Sequence, residues 1–328
     1  MRILVVRFSS IGDIVLTTPV FRLLKSRFPE AEIHWLSKEK FMGVLDGNPY
    51  IDVTWKWDSL EDRNRLRNIH FDYIIDLQNN TRSQQVKWSF LGTPNTTVTK
   101  QNFKKFFWVL LKQGRLRSSP RLAKIFECRS FTERCVDTLK VFGIQNDHLG
   151  LDYHIGNEII ETTKNQLGNL QDFICISLGG SFSTKRVPVE KWRDLILKRN
   201  KNIVLVGGPS DIDSSKKLED IISDYNMPIR LINLVGGINL KESAAVIGLS
   251  DEVYTGDTGI LHISAALGKK VHLIWGNTIP EFGMVPPLKN GGEILQNEVV
   301  GLSCRPCTKL GFDSCPKGHF NCMNNLQI

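Results

Sequence analysis

The sequence predicts an α/β protein of two domains, each built on a mainly parallel sheet. Three observations predict it. The chain has 328 residues, room for two domains at roughly 100–200 residues each. Short apolar runs alternate with stretches of helical periodicity, the pattern of βαβ units. In the second half, apolar runs end on Gly179, Gly207, Gly236, Gly256 and Gly276. Doubly wound sheets bind ligands beyond the carboxyl ends of their strands, where glycine lets backbone come close.

The elements follow in order. Residues 3–6 read as a buried strand, and the loop Arg7-Phe8-Ser9-Ser10-Ile11-Gly12-Asp13 leaves it. Leu16, Val20, Leu23, Leu24 and Phe28 then recur at helical spacing. Pro19 lies inside that pattern, which predicts a kink or an irregular first turn. Residues 33–36, 73–77 and 96–98 complete the strands of a domain spanning residues 1–155. In the second domain, residues 156–328, strands are expected at 173–178, 203–206, 231–235, 253–254 and 271–275. Trp192, Leu195 and Ile196 mark a helix.

No apolar run reaches the roughly 18 residues of a membrane span. The amino-terminal residues read straight into a strand, without the apolar core and cleavage site of a signal peptide, so a cytoplasmic location is expected. The net charge of +8 suits solubility or an anionic partner. Residues 100–126 carry eight cations and no acidic residue, interleaved with Phe103, Phe106, Phe107 and Trp108. Such a stretch suits an anionic lipid surface; a helix or lid with a solvated basic face is the plainer reading.

Three motifs carry chemistry. Asp13 follows a strand and opens a helix, a place suited both to a general base within reach of a hydroxyl and to a simple helix-start charge. Asp257-Thr258-Gly259-Ile260-Leu261-His262 ends a strand and begins an alanine-rich helix. Its amides and dipole suit a pyrophosphate, with Thr258 as a hydroxyl donor and His262 one turn in. Gly179-Gly180-Ser181-Phe182-Ser183-Thr184-Lys185-Arg186 offers small residues and two cations for a departing diphosphate. The spacing of a P-loop is absent, as is a dinucleotide fingerprint after the first strand. Nothing in the chain matches a nucleic-acid-binding motif.

In this order, Ser9 to Asp13, Asp76-Leu77-Gln78 with Arg82, Ser181 to Arg186, Gly207-Gly208-Pro209 and Asp257 to His262 resemble the ADP-heptose:lipopolysaccharide heptosyltransferases, glycosyltransferase family 9. The resemblance covers most of the chain. It implies a GT-B fold of two facing Rossmann-like domains, the first for a lipid-linked acceptor and the second for ADP-heptose. It implies that Asp13 is the base of an inverting transfer. Ser181, Lys185, Arg186, Asp257, Thr258, Gly259 and His262 would surround the donor, with Asp211 a candidate for a ribose or sugar hydroxyl. Ser9, Ser10, Gln78 and Arg82 would face the acceptor. No catalytic metal is expected, and the protein would lie peripherally on the inner membrane. Arg7 stands where the family leads one to expect lysine.

The tail pattern Cys304-x2-Cys307-x7-Cys315-x6-Cys322, with His319, fits packed free thiols, a structural zinc site or disulfides. Other functions remain in view. They are transfer from another nucleotide sugar, nucleotide-sugar epimerisation, which needs no base aimed at an external acceptor, and non-catalytic binding of anionic glycans.

Overall fold

A computed structural model describes residues 1–328. The first half runs β1 (Arg2–Val6), α1 (Ile11–Val15), α2 (Thr18–Arg27), β2 (Glu32–Ser37), β3 (Val53–Lys56), α3 (Leu60–Arg67), β4 (Tyr73–Asp76), α4 (Thr81–Trp88) and β5 (Asn95–Thr97). There follow α5 (Asn102–Arg117), α6 (Pro120–Phe126), α7 (Phe131–Val136) and α8 (Asn157–Gln166). The second half continues with β6 (Phe173–Ser177), α9 (Val189–Arg199), β7 (Asn202–Val206), α10 (Ile212–Ser223), β8 (Leu231–Asn233) and α11 (Leu240–Leu249). It closes with β9 (Glu252–Gly256), α12 (Gly259–Ala266), β10 (Lys270–Trp275), β11 (Glu293–Glu298) and α13 (Asn321–Asn324). No helix is long and apolar enough to cross a membrane.

The chain forms two compact units. Residues 1–100 and 129–154 make the first, and residues 101–128 and 155–328 the second. The chain passes from the first unit into the second at 154/155, and residues 101–128 also belong to the second unit. The reason is apolar packing. Trp108 and Leu116 of α5 are buried against Ile279 and Phe282, and the Gln113 amide donates to the Arg305 carbonyl at 2.6 Å.

Both sheets are wholly parallel. The first has the order β3-β2-β1-β4-β5, the second β11-β10-β9-β6-β7-β8. Strand order therefore reverses between β1 and β4 in the first unit and between β9 and β6 in the second. Loops leaving neighbouring strands at such a switch point diverge to opposite faces and open a crevice. Val6 pairs with Asp76 in the first register, so the loops after β1 and β4 start side by side. Cys175 pairs with Val253 in the second, which does the same for the loops after β6 and β9.

Leu4, Val6, Leu36, Trp55, Phe71 and Ile74 fill a core on one face of the first sheet. The helix expected across Pro19 is two helices: α1 stops at Val15, and Pro19 lies in the first turn of α2, where its missing N–H costs no intrahelical bond. In the second unit Ile174, Ile176, Ile203, Leu205 and Trp192 share a core with Cys322, Met323 and Leu326 of the tail. The cysteine-rich tail is thus packed into this unit's core.

Candidate active site

In the first unit the site is built on the β1–β4 switch point. Ser10 caps α1, and its amide and hydroxyl both donate to Asp13 Oδ2, at 3.1 and 2.7 Å. Arg7 Nη2 reaches the same oxygen at 3.1 Å, while Arg7 Nη1 donates to the Leu77 carbonyl at 2.6 Å. The guanidinium also lies over the Phe131 ring, 5.0 Å from its centroid. Arg7 is almost fully buried, so it is a rigid clamp that sets the Asp13 carboxylate.

The β4 loop is equally determined. Asp76, wholly buried, accepts the amides of Gln78 and Asn79 and the hydroxyl of Ser83. Gln78 Oε1 in turn accepts the Phe8 amide at 2.9 Å, tying the β4 loop to the β1 loop. Of the expected acceptor residues, Ser10 and Gln78 are joined to this framework. Ser9 is half-buried beside it, and Arg82 stands exposed on α4.

In the second unit the loops after β6 and β9 meet. Lys185 Nζ lies 2.6 Å from Asp257 Oδ2 and 3.1 Å from the Asp257 carbonyl. Thr278, just after β10, donates to the same carboxylate oxygen at 3.0 Å. Burial alone would push the Asp257 carboxyl up; the Lys185 ammonium, the neighbouring His262 and the Thr278 hydroxyl outweigh it and hold the group below its usual range. Glycine makes the arrangement possible: a Cβ on Gly256 would lie 2.9 Å from the Lys185 carbonyl.

Directly after this pair α12 begins. Thr258 is its N-cap residue, and no side chain caps the helix. The Thr258 hydroxyl lies 3.2 Å from that of Thr255. Thr258 and Gly259 are half-exposed, and His262 is buried one turn further on. This is a helix start that no side chain caps, beside the Lys185–Asp257 pair, a place that suits an anion.

The two neighbouring cations of the sequence motif part company. Lys185 turns to Asp257, whereas Arg186 donates from Nε to the Gly180 carbonyl at 3.0 Å and approaches Asp211 at 3.6 Å. Asp211 is buried and accepts the Gly208 amide at 2.9 Å. A Cβ on Gly179 would come within 2.9 Å of its carboxylate, so Asp211 knits the glycine turns after β6 and β7 together. Ser181 is exposed at the mouth of the same loop. Two residues of this region carry no sequence motif: Thr278, and Asn277, whose buried carboxamide has no hydrogen-bond partner. Their only sequence signal is their place just past a glycine-ended strand.

No disulfide joins any of the seven cysteines. Burial pushes Cys307 up to about 11 and Cys322 up to about 12. No group of three or more His, Cys, Asp or Glu side chains is gathered closely enough to hold a metal ion.

Two all-parallel α/β units, each with its polar groups at its own switch point, fit the GT-B fold, and the family match makes the class a glycosyltransferase. Residues 61–310 match the family described as glycosyltransferase family 9 (heptosyltransferase), and the chain belongs to that family. It is 22% identical over 315 residues to lipopolysaccharide heptosyltransferase 1 of Campylobacter coli, covering 92% of this chain and 89% of that relative. Its fold is shared with a family 9 glycosyl transferase from Veillonella parvula (TM-score 0.72, 20% identity, 98% of this chain and 92% of that one). It is shared also with the ADP-heptose lipopolysaccharide heptosyltransferase II of E. coli (TM-score 0.70, 19% identity, 99% and 98%).

Proposed function

We propose that the chain transfers heptose from ADP-heptose to the core sugar of a lipid-linked lipopolysaccharide acceptor, with inversion at the anomeric carbon. The observation that carries this reading is the meeting of Lys185, Asp257 and Thr278 at the head of α12. A cation and a row of helix amides there suit a nucleoside diphosphate. The E. coli neighbour is described as acting with ADP-heptose, which favours ADP as the nucleotide.

In the proposed reaction the acceptor hydroxyl oxygen attacks the anomeric carbon on the face opposite the diphosphate. Asp13 takes the hydroxyl proton as the new C–O bond forms. The bond from the anomeric carbon to the phosphate oxygen breaks, and its electron pair leaves with ADP. The α12 amides, the Thr258 hydroxyl and Lys185 meet the charge that develops there, a contribution that is largest when the donors are fixed beforehand. Arg7 and Ser10 hold Asp13 in place, and Arg186 and Asp211 hold the loops. Asn277 supplies a further polar contact to the donor. Lys185 and the α12 amides take over the charge neutralisation that a metal would otherwise perform, so chelation should leave turnover unchanged. The acceptor, through Ser9, Gln78 and Arg82, is met at the cytoplasmic face of the inner membrane.

The test is a panel of nucleotide sugars incubated with purified protein, with and without extracted core glycolipid. Heptose transfer with ADP release, requiring both substrates, is expected. Turnover of a different nucleotide sugar would correct the donor, and an epimeric product formed without acceptor would replace the reaction class.

A further inference from the structure

We infer that the α5–α6 hairpin and the tail loop at 307–312, both in the second unit, form the surface on which the protein sits against an anionic phospholipid bilayer. A groove of about 590 Å³ runs between them, lined by Lys105, Phe106 and Val109 of α5 and by Lys309, Leu310 and Phe312 of the tail. Lys309 Nζ lies over the Phe106 ring, 6.0 Å from its centroid. The apolar side chains are strongly exposed: Phe103 at 70%, Leu110 at 57%, Ile125 at 59% and Leu310 at 63%. Exposed apolar groups gathered in this way mark an interaction surface.

The surface is held rigid from below. Trp108 is buried and donates from Nε1 to the Phe126 carbonyl at 2.9 Å, and Phe107 stacks on Phe126. Lys112 Nζ donates to the Pro306 carbonyl at 3.1 Å, joining α5 to the tail. Lys104 is likewise committed to the Glu127 carbonyl. These two lysines therefore shape the hairpin, while Arg115, Arg121 and Lys124 stand exposed. Exposed aromatic and aliphatic groups interleaved with cations suit the headgroup region, where rings enter the interface and cations meet phosphates. Charge selects the bilayer over a second copy of the chain: Arg117 is paired with Glu281 and Glu298, but Arg115, Arg121 and Lys124 stand exposed on a stretch, residues 101–126, that holds no acid, and two such faces would repel each other.

This deepens the lipid-linked-acceptor reading but stands on different residues. The sequence alone suggested only the 100–126 stretch; the structure adds the tail loop and assigns the surface to the unit that carries Lys185 and Asp257. The test is flotation of the full-length protein with phosphatidylglycerol or phosphatidylcholine vesicles at low and high salt. A parallel assay follows transfer to a soluble, deacylated acceptor. Wild type should float with phosphatidylglycerol, lose binding in high salt, and ignore phosphatidylcholine. Phe106→Asp with Leu310→Asp, and separately Arg121→Glu with Lys124→Glu, should lower the bound fraction at least about tenfold while keeping soluble transfer. The second pair is solvent-exposed and tests the surface even if the first pair misfolds. Variants that float like wild type overturn the inference. So does wild type that fails to float but self-associates through the same residues. Failure of soluble transfer in wild type strikes the catalytic reading and leaves the flotation result standing.

Discussion

Lys185 and Asp257, 72 residues apart, meet at 2.6 Å because their loops leave β6 and β9, the neighbours at which the second sheet reverses its strand order. Neither residue is well exposed, and the buried Asp257 carboxylate depends on the Lys185 ammonium as its cation. That dependence separates a structural role from a donor-binding role experimentally.

Lys185→Ala leaves a buried carboxylate without its cation and should destabilise the protein by about 3 kcal/mol. Adding Asp257→Asn should restore much of that stability without restoring ADP affinity, which should be at least about tenfold weaker in both variants. Calorimetric binding of ADP, read beside thermal melts, makes the comparison. Full ADP affinity in the stable double variant removes Lys185 from the donor site.

Gly256→Ala should damage the same place by crowding alone. The added methyl would meet the Lys185 carbonyl at 2.9 Å, and overpacking of this kind costs about 1–3 kcal/mol. ADP affinity should fall with it, since the Lys185 backbone must move. Gly114, inside α5 with nothing within 4 Å of an added Cβ, is the control: Gly114→Ala should be neutral or stabilise by up to about 1 kcal/mol. A harmless Gly256→Ala would show that the approach of the two loops is slack.

Acid should weaken the fold before it reaches the carboxylates. Burial pushes His34 down, against the opposing pull of Glu32, and Trp55 Nε1 donates to its Nδ1 at 2.9 Å. Burial likewise lowers His272 beside Glu252. Both rings take a proton less readily when folded than at the ordinary value of about 6.5 when unfolded. Their stabilisation is complete above that value and is lost as pH falls through it toward the lower folded pKa. The denaturant midpoint should therefore drop between about pH 7.5 and 5.5, less steeply in His34→Gln. A midpoint that rises over this range would mean that the rings gain their protons on folding.

Much of the fold was legible because buried parallel strands are mostly short apolar runs; nine of the eleven strands overlap stretches read as strands, although β5 (Asn95–Thr97) holds no valine, isoleucine or leucine and β9 only Val253. The two passed over are β3 and β11, edge strands of mixed polarity in Val53–Lys56 and Glu293–Glu298. The placement of residues 101–128 was hidden because it depends on Trp108 and Leu116 finding Ile279 and Phe282 more than 150 residues away, and local periodicity does not encode partners. In the site, Asp13 and Asp257 stood out as acids at strand-to-helix turns. Thr278 and Asn277 did not, because their roles arise from β10 lying beside β9. The divergence of Lys185 and Arg186 was equally unreadable, since it follows from the 3-10 turn at Ser183–Lys185.

The central claim is that Asp13 is the base. Arg7 and both Ser10 donors converge on its Oδ2, an arrangement that would hold a carboxylate for catalysis and would equally serve a helix cap. Asp13→Asn keeps the size and the capping oxygen while removing the basicity, and Arg7 retains the Leu77 carbonyl and the Phe131 ring. The decisive measurement is the heptose transfer rate of the folded variant at saturating donor and acceptor, with ADP affinity measured alongside. The account predicts intact ADP affinity and a turnover lower by roughly 10²–10⁴-fold, the contribution of a positioned base. Near-normal turnover would contradict it and leave Asp13 as the charge that starts a helix.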